Sequence, residues 1–142
     1  MGVTIESEHY SIDLGYGGFA NIRMKVAELT APDIFEHYKY LNKGMFLSGK
    51  ERKEFFEEYD KKIMELDEKY QEKKSNILDF LYSCDAGAVM DYHHCIDIYE
   101  VIKDYDDNVL YGYVGRPDCV RFKDFKALVK DCVDTKTSME WF

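Results

Sequence analysis

Residues 122–133 read Phe-Lys-Asp-Phe-Lys-Ala-Leu-Val-Lys-Asp-Cys-Val, and this stretch sets the character of the fold. Lysines and aspartates fill one side of a helical projection, and apolar side chains recur at intervals of three and four residues on the other side. The apolar positions are Phe125, Leu128, Val129 and Cys132. The spacing therefore predicts an amphipathic helix over residues 122–133 that packs one face onto a core.

The same spacing predicts further helices upstream. They are expected over residues 19–29, 32–44, 48–72, 75–82 and 91–105. Pro32 suits the first turn of its helix, because its missing N–H would have no helical partner there. Ser75 and Asp91 carry side-chain oxygens that can cap the backbone N–H groups of the helices that follow them. The charged helix over 48–72 either covers the core with one face or projects as an arm for a partner.

Apolar and polar residues alternate near the start of the chain. The apolar members are Val3, Ile5, Ile12 and Leu14. This pattern indicates a short strand, or a hairpin that turns near Glu6–Glu8. Farther along, Val109–Val114 is rich in strand formers but contains a glycine, so it is either a short strand or an aromatic loop. Trp141 and Phe142 are apolar enough to dock back onto the core.

The composition is that of one folded domain. The chain has 142 residues, of which 46 % are hydrophobic, so it can bury a core although 33 % of its residues are charged. The predicted fold class is mainly α, of the α+β type, with five or six helices and an N-terminal strand or hairpin. We expect a single domain over residues 1–142, without linkers or repeats.

The start of the chain suggests where the protein works. Residues 1–13 contain no apolar run of the kind that export signals carry, and no stretch of the sequence is long and apolar enough to span a bilayer. We therefore expect a cytoplasmic protein that does not enter membranes. Its four cysteines are then expected to be reduced thiols.

The net charge of −9 is concentrated in one part of the chain. Residues 76–115 hold eight acids and one base, Lys103, which gives this segment a charge of −7. Such a surface repels phosphate backbones and anionic lipid, so direct binding to nucleic acid is disfavoured. It suits a basic protein partner, including one that normally holds nucleic acid. The alternative is that the acids only keep the protein in solution.

Residues 15–20, Gly-Tyr-Gly-Gly-Phe-Ala, fit the G-x-G-x-x-A pattern of dinucleotide-binding turns. The context differs, because residues 10–14 do not resemble a buried parallel strand, and no Gly-Lys-Ser/Thr closes a phosphate loop. The pattern predicts a glycine-rich turn between a strand and a helix. A backbone nest for an anion is the functional alternative, with Tyr16 stacking on a base. The candidate ligand-binding residues are Gly15, Tyr16, Gly17 and Gly18.

Metal-binding and catalytic patterns are incomplete. His93, His94 and Cys95 are adjacent, but the paired ligand spacing of zinc sites is missing around them and around Cys84, Cys119 and Cys132. Residues 104–108 begin like a calcium loop, yet its sixth and twelfth positions hold Val109 and Gly115. We therefore assign no metal, no cofactor and no catalytic residue. An enzyme remains a third hypothesis, with His94 and Cys95 as its base and nucleophile.

Aromatic residues and an arginine cluster around two glycines after the acidic segment. The cluster consists of Tyr105, Tyr111, Tyr113 and Arg116. Tyrosine and arginine on a loop are typical anchors of protein interfaces. The same tyrosines could equally form the edge of the core, with their rings buried and their hydroxyl groups in water.

Several stretches of the chain look familiar. They are residues 10–19, 77–85, 105–113, 115–119 and 130–132, which include Ile-Leu-Asp-Phe-Leu-Tyr and Tyr-Asp-Asp-Asn-Val-Leu-Tyr-Gly-Tyr. They resemble a family of small hypothetical proteins from prophages and mobile elements of Gram-positive gut bacteria. The resemblance covers nearly the whole chain and carries over no functional residue. It implies a mobile-element context, in which small acidic proteins often inhibit or assist host machinery.

These observations give a leading functional hypothesis and an alternative. The leading hypothesis is a non-enzymatic acidic interaction domain that binds a host protein, in its strongest form an anti-defence inhibitor that occupies a basic nucleic-acid groove. The alternative is a protein that binds or sequesters a small ligand such as a nucleotide, through the Gly15–Gly18 turn with Tyr16, Tyr111 and Arg116. The predicted interaction residues are Asp97, Glu100, Asp104, Asp106, Asp107, Tyr111, Tyr113 and Arg116.

Overall fold

The computed structural model describes residues 2–44, 46–70, 74–84, 86–111 and 120–142. Six helices and four short strands lie in these ranges, which confirms the predicted α+β class. In chain order they are β1 (Val3–Glu6), β2 (Ser11–Leu14), α1 (Tyr16–Thr30), α2 (Pro32–Gly44), α3 (Gly49–Tyr70), α4 (Ser75–Tyr82), β3 (Ala88–Met90), α5 (Tyr92–Ile102), α6 (Phe122–Thr135) and β4 (Met139–Trp141). No helix of the described ranges has the length and apolar character needed to cross a membrane.

The strands form one antiparallel sheet in the order β2-β1-β4-β3. The predicted N-terminal hairpin is confirmed, with Val3 opposite Leu14 and Glu6 opposite Ser11. Strand β4 brings the end of the chain between β1 and β3, and Trp141 lies opposite both Ile5 and Ala88. Strands β3 and β4 were not predicted, because three residues are too few to show an alternating pattern.

One face of the sheet packs against the helices and closes the core. Trp141 is 1 % exposed, and its ring meets the rings of Phe19 and Phe80 edge-on at centroid distances of 5.3 and 5.8 Å. Docking of Trp141 is therefore confirmed. Docking of Phe142 was wrong, since its side chain is 54 % exposed and only its backbone is held, by a pair of hydrogen bonds with Thr4. Alternation along β4 turns successive side chains to opposite faces of the sheet.

The apolar stripes predicted for the helices are the buried ones. In α6 the inward residues include Phe125, Leu128, Val129 and Cys132. The side chain of Asp91 accepts the His94 N–H and caps α5, as predicted. The predicted cap of α4 was wrong: Ser75 is its first helical residue, and Lys74 precedes it without a side-chain cap.

The glycine-rich stretch is part of a helix and not a turn before one. The Phe19 N–H donates to the Gly15 carbonyl, so α1 begins at Tyr16 and takes Gly17 and Gly18 into its first turn. The predicted glycine-rich turn was wrong in this respect. Helical structure is favoured over a turn here because Phe19, Ile22 and Val26 on one side of the helix are buried in the core.

Helix α3 covers the body with one narrow face. Of its described side chains, Tyr59 and Leu66 are buried, and the helix packs along α2 and α4. Its outer face carries ion pairs one turn apart, such as Lys50 with Glu54 and Lys62 with Glu65. The structure thus gives α3 the core-covering role, with a strongly charged outer face.

Candidate ligand-binding cavity

A cavity of about 480 Å³ lies between helices α1, α2, α3 and α4. This volume falls within the range of small-molecule sites. Aromatic rings form part of its wall, and they come from Tyr16, Tyr38, Phe56, Tyr59 and Tyr82. Among the described residues that line it, two are charged, Arg23 and Asp60, and their formal charges sum to zero.

Aromatic stacking between α2 and α3 holds Tyr59 in the wall of the cavity. His37 of α2 stacks on Tyr59 of α3 at a centroid distance of 4.0 Å and an interplanar angle of 23°. Phe55 stacks on Tyr40 nearby. Gly44 permits this approach, because a Cβ at that position would lie within 3.0 Å of the Phe55 ring. The two helices therefore come together through rings that sequence periodicity identifies only as apolar.

His37 links the two wall helices to Tyr82 of α4. Its Nε2 lies 3.1 Å from the Tyr59 carbonyl oxygen, and its Nδ1 lies 2.7 Å from Tyr82 Oη. Burial lowers the pKa of His37, so the ring is neutral near pH 7. A carbonyl oxygen only accepts, and thus Nε2 carries the proton and Nδ1 accepts the Tyr82 O–H. The orientation of the Tyr82 hydroxyl is therefore fixed.

The hydroxyl group of Tyr59 is not oriented by a histidine as that of Tyr82 is. Tyr59 is 5 % exposed, and its Oη has no hydrogen-bond partner among the residues that the structure describes. Burial, followed by the neighbouring phenols of Tyr82 and Tyr38, raises the pKa of Tyr59, so the group is a neutral O–H. Tyr82 contributes to this rise both by its charge and as a neighbouring hydrogen-bond acceptor, although the two hydroxyl groups fall outside strict hydrogen-bond geometry. A buried hydroxyl in this state is uncommon, because an unsatisfied polar group costs about 1–3 kcal/mol.

Arg23 is a buried charged residue that lines the cavity. It is 2 % exposed, and its guanidinium lies 4.4 Å from the Phe19 ring centroid and 5.2 Å from that of Trp141. One of its terminal nitrogens donates to the Ser83 carbonyl at 2.9 Å. Aromatic faces and a carbonyl oxygen stabilise the buried charge. Arg23 thus joins the cavity to the aromatic core beneath the sheet.

The four residues of the glycine-rich motif have different surroundings in the structure. Tyr16 and Gly17 line the cavity. Gly15 stands at the N-cap position of α1, and Gly18 faces the backbone of Tyr111 so closely that a Cβ would lie within 3.0 Å of its carbonyl oxygen. The motif therefore contributes two residues to the rim of the cavity and one close backbone approach.

The predicted acidic residues differ in how strongly they are engaged. Asp97 is half-buried and accepts a hydrogen bond from Asn76, Glu100 pairs with Lys103, and Asp107 pairs with Lys126. Asp104 and Asp106 are exposed and form no ion pair with any described residue, although the Asp106 carboxylate accepts the Asn108 N–H. The unpaired negative charge of the five predicted positions is therefore concentrated on Asp104 and Asp106.

The predicted aromatic anchors fall partly outside the described ranges. Tyr111 is half-buried against Phe122, and its hydroxyl lies 3.3 Å from that of Tyr105. For Tyr111 the structure favours the core-edge interpretation of the tyrosine cluster. Tyr113 and Arg116 lie outside the described residues, as does Cys119.

His94 and Cys95 are adjacent in sequence but do not form a catalytic pair. The two ring nitrogens of His94 lie 2.8 Å from Asp91 and 3.0 Å from Asp79. Although burial opposes it, hydrogen bonds to these carboxylates raise the pKa of His94. The neighbouring Cys132 thiol and burial raise the pKa of Cys95, which keeps it a protonated thiol. The histidine serves as a bridge between α4 and the N-terminus of α5, and Cys95 packs as a small apolar side chain.

A second histidine cluster ties the hairpin to α6, and sequence analysis missed it. Asp131 accepts hydrogen bonds from Ser7 Oγ at 2.7 Å and from the His9 backbone N–H at 2.8 Å, and its other oxygen lies 2.8 Å from His9 Nδ1. Both partners bind the carboxylate and not each other, so the arrangement is a tether and not a catalytic triad. No local pattern could reveal it, because more than 120 residues separate the partners.

Across the ranges that the structure describes, no three or more histidine, cysteine or acidic side chains converge as a metal site would require. Comparison of the chain with protein-family models, curated proteins and solved structures gave no match. The resemblance to mobile-element proteins therefore stays a prediction. The function has to be argued from the geometry.

Apart from Tyr16 and Gly17, the residues that line the cavity were not singled out from the sequence. Tyr38, Tyr59 and Tyr82 were assigned only to apolar helix stripes. One signal was available: each of these inward positions carries a phenol where leucine or phenylalanine would make an ordinary core. Three tyrosines on neighbouring stripes, of which Tyr38 and Tyr59 are buried and Tyr82 is half-buried, indicate a polar function at the edge of an apolar region.

Proposed function

We propose that this protein binds a small, flat molecule in the cavity between α1, α2, α3 and α4. The observation that carries the proposal is the cavity itself, about 480 Å³ in volume, which five aromatic side chains line together with apolar ones. A ligand held there would remove apolar surface from water on both sides of the contact.

The chemistry of the walls supports a planar ligand. Apolar and aromatic surface with a few well-placed polar groups is typical of small-molecule sites. Phenol and phenyl rings offer flat faces on which a second ring can stack. Tyr16 is 47 % exposed at the rim, where it can cover a bound molecule. This is the alternative hypothesis of the sequence analysis, moved from the Gly15–Gly18 segment into the cavity beside it.

The test is a ligand-observed NMR screen of flat heteroaromatic compounds, including nucleosides, followed by calorimetry on the wild type and two variants. Ala20 lies exposed at the rim and lines the cavity, so Ala20→Trp covers the entrance. Asn21 is the exposed next residue of α1 and does not line it, which makes Asn21→Trp the matched control.

We expect Ala20→Trp to weaken binding about tenfold or more, and Asn21→Trp to leave it near the wild-type value. Circular dichroism would show that both variants fold. The proposal is wrong if no compound of the screen binds. It is equally wrong if Ala20→Trp binds as tightly as Asn21→Trp does.

We propose as a second candidate that the acidic segment contacts a basic protein partner. The observation that favours it is the exposure of Asp104 and Asp106, which no described residue neutralises. In this proposal the partner is a host protein, and the anti-defence inhibitor role rests on the resemblance to mobile-element proteins. A cytoplasmic location belongs to the same proposal and fits Cys84, Cys95 and Cys132, which are free thiols.

The second candidate is tested by affinity capture from a Gram-positive lysate with elution along a salt gradient. The double variant Asp104→Asn, Asp106→Asn should release the partner at lower salt than the wild type, because two charges of the interface are lost. Glu57→Gln with Glu68→Gln removes the same charge from exposed positions of α3 and serves as the control. Identical elution of the two double variants would contradict this role of the acidic segment.

A further inference from the structure

A second, smaller pocket of about 230 Å³ adjoins the cavity along the groove between α3 and α4. The two spaces have three lining residues in common, Ile63 of α3 and Tyr82 and Ser83 at the end of α4. Because part of the wall is shared, a short substituent on a ligand in the cavity would lie beside the smaller pocket.

The smaller pocket carries two carboxylates, one from each of its helices. Asp67 of α3 is exposed and forms no hydrogen bond or ion pair with any described residue. In Asp79 of α4, Oδ2 lies 3.0 Å from His94 Nε2, and the other carboxylate oxygen has no partner in the described ranges. Both carboxylates therefore keep lone pairs for a donor in the pocket, and Asp67 is the less engaged of the two.

The charges around the two spaces favour a cation over an anion. Among the described residues that line either space, Arg23 is the base and Asp60, Asp67 and Asp79 are the acids, so their formal charges sum to −2. The whole chain has a net charge of −9. The aromatic faces of the cavity add to the preference, because the face of an aromatic ring attracts a cation. An anionic ligand would instead meet a repulsive field.

We infer that the ligand of the cavity is a flat aromatic amine, whose ring lies among the aromatic side chains and whose protonated amino group lies in the smaller pocket between Asp67 and Asp79. This inference rests on the proposed function, because it specifies the ligand of the same cavity. It goes further in naming the charge of the ligand and the two carboxylates that select it. The carboxylates alone would make no site, because exposed charges pair only weakly in water. The aromatic cavity supplies the surface that the ligand buries.

The experiment compares the binding of tryptamine and tryptophol by calorimetry at pH 7 and low salt. Both molecules carry an indole ring on a two-carbon chain, which ends in an ammonium group in tryptamine and in a neutral hydroxyl group in tryptophol. The wild type is expected to bind tryptamine roughly tenfold more tightly, which is the value of one hydrogen bond to a charged group. The preference should fall as salt is added, because ions screen exposed charges.

Two single variants show whether the smaller pocket selects the charge. Asp67→Asn should lower the preference for tryptamine about threefold, which is the value of one exposed ion pair. Glu68 is the exposed next residue of α3 and lines neither space, so Glu68→Gln removes the same charge as a matched control and should keep the wild-type preference. Asp67→Asn combined with Asp79→Asn should remove the preference.

The ratio of two affinities on one variant separates charge recognition from folding, since a loosened structure would affect both probes alike. The inference is overturned if the wild type binds both probes equally, or if Asp67→Asn keeps the preference as Glu68→Gln does. It is also overturned if neither probe binds the wild type. In each of these cases Ala20→Trp still decides the proposed function, through any compound of the screen whose binding it blocks while Asn21→Trp does not.

Discussion

Gly17 and Gly18 are adjacent in α1 but face different surroundings, and alanine substitution should separate them. A Cβ at Gly17 would meet nothing within 4 Å. A Cβ at Gly18 would lie within 3.0 Å of the Tyr111 carbonyl oxygen, a backbone atom that cannot rotate away as the end of a side chain could. We therefore expect Gly17→Ala to stabilise the protein and Gly18→Ala to destabilise it.

The expected sizes follow from two effects. Alanine is favoured over glycine inside a helix by about 0.5–1 kcal/mol, and Gly17→Ala should gain up to that amount. Gly18→Ala makes the same gain but forces the first turn of α1 away from Tyr111, at an overpacking cost of about 1–3 kcal/mol. The free energies of unfolding of the two variants should therefore differ by about 1–3 kcal/mol.

Urea denaturation followed by circular dichroism measures this difference, and thermal denaturation should place the two midpoints several degrees apart. Each variant differs from the wild type by one methyl group, and the two positions are consecutive in one helix. Propensity alone would shift both variants equally, so the gap between them reports the backbone contact. Equal stabilities of Gly17→Ala and Gly18→Ala would refute the close approach of Tyr111 to α1.

Two further predictions concern α6. Lys136 ends this helix in the left-handed conformation with φ 56°, which glycine adopts without strain. Lys136→Gly should therefore raise the free energy of unfolding by about 0.5–1 kcal/mol, as measured by urea denaturation. A decrease in the free energy of unfolding would contradict the cap geometry. The hydrogen bond to Asp131 raises the pKa of His9, so the pair should stabilise the fold fully below pH 6.5 and less as the pH rises through the raised pKa. The free energies of unfolding of His9→Gln and wild type, measured across pH 5–9, should therefore differ most at the acidic end, where the wild type is the more stable. A loss of stability in His9→Gln that grows with pH would contradict this prediction.

The helices and the N-terminal hairpin could be predicted from the residue pattern, because both depend on contacts close along the chain. The apolar residues of 122–133 recur with helical spacing, and α6 buries the face that they form. The side chain of Asp91 accepts the backbone N–H of His94, which is three residues later in the chain. The N-terminal hairpin needs only the alternation of Val3–Leu14 and a four-residue turn. Such patterns require no knowledge of what lies on the other side of the core.

The predictions for the starts of α1 and α4 were wrong because local propensity does not decide where these helices begin. Glycines predict a loop by propensity, but the burial of Phe19 and Ile22 extends α1 back over Gly17 and Gly18. Ser75 is a good cap by residue type, yet α4 begins at that residue. Propensities of this kind amount to about 1 kcal/mol or less per residue, and packing exceeds them.

The candidate site could not be predicted from the residue pattern, because it depends on how distant elements pack together. His37, Tyr59 and Tyr82 come from three helices, and the hydroxyl directions follow from distances that no local pattern encodes. The same holds for β3 and β4, which exist because Trp141 can lie between Ile5 and Ala88. Periodicity states that a side chain points inward but not what it meets there. The partner of a buried polar atom is fixed when elements distant in sequence pack together, and in this protein that packing created the cavity and the polarity of its wall.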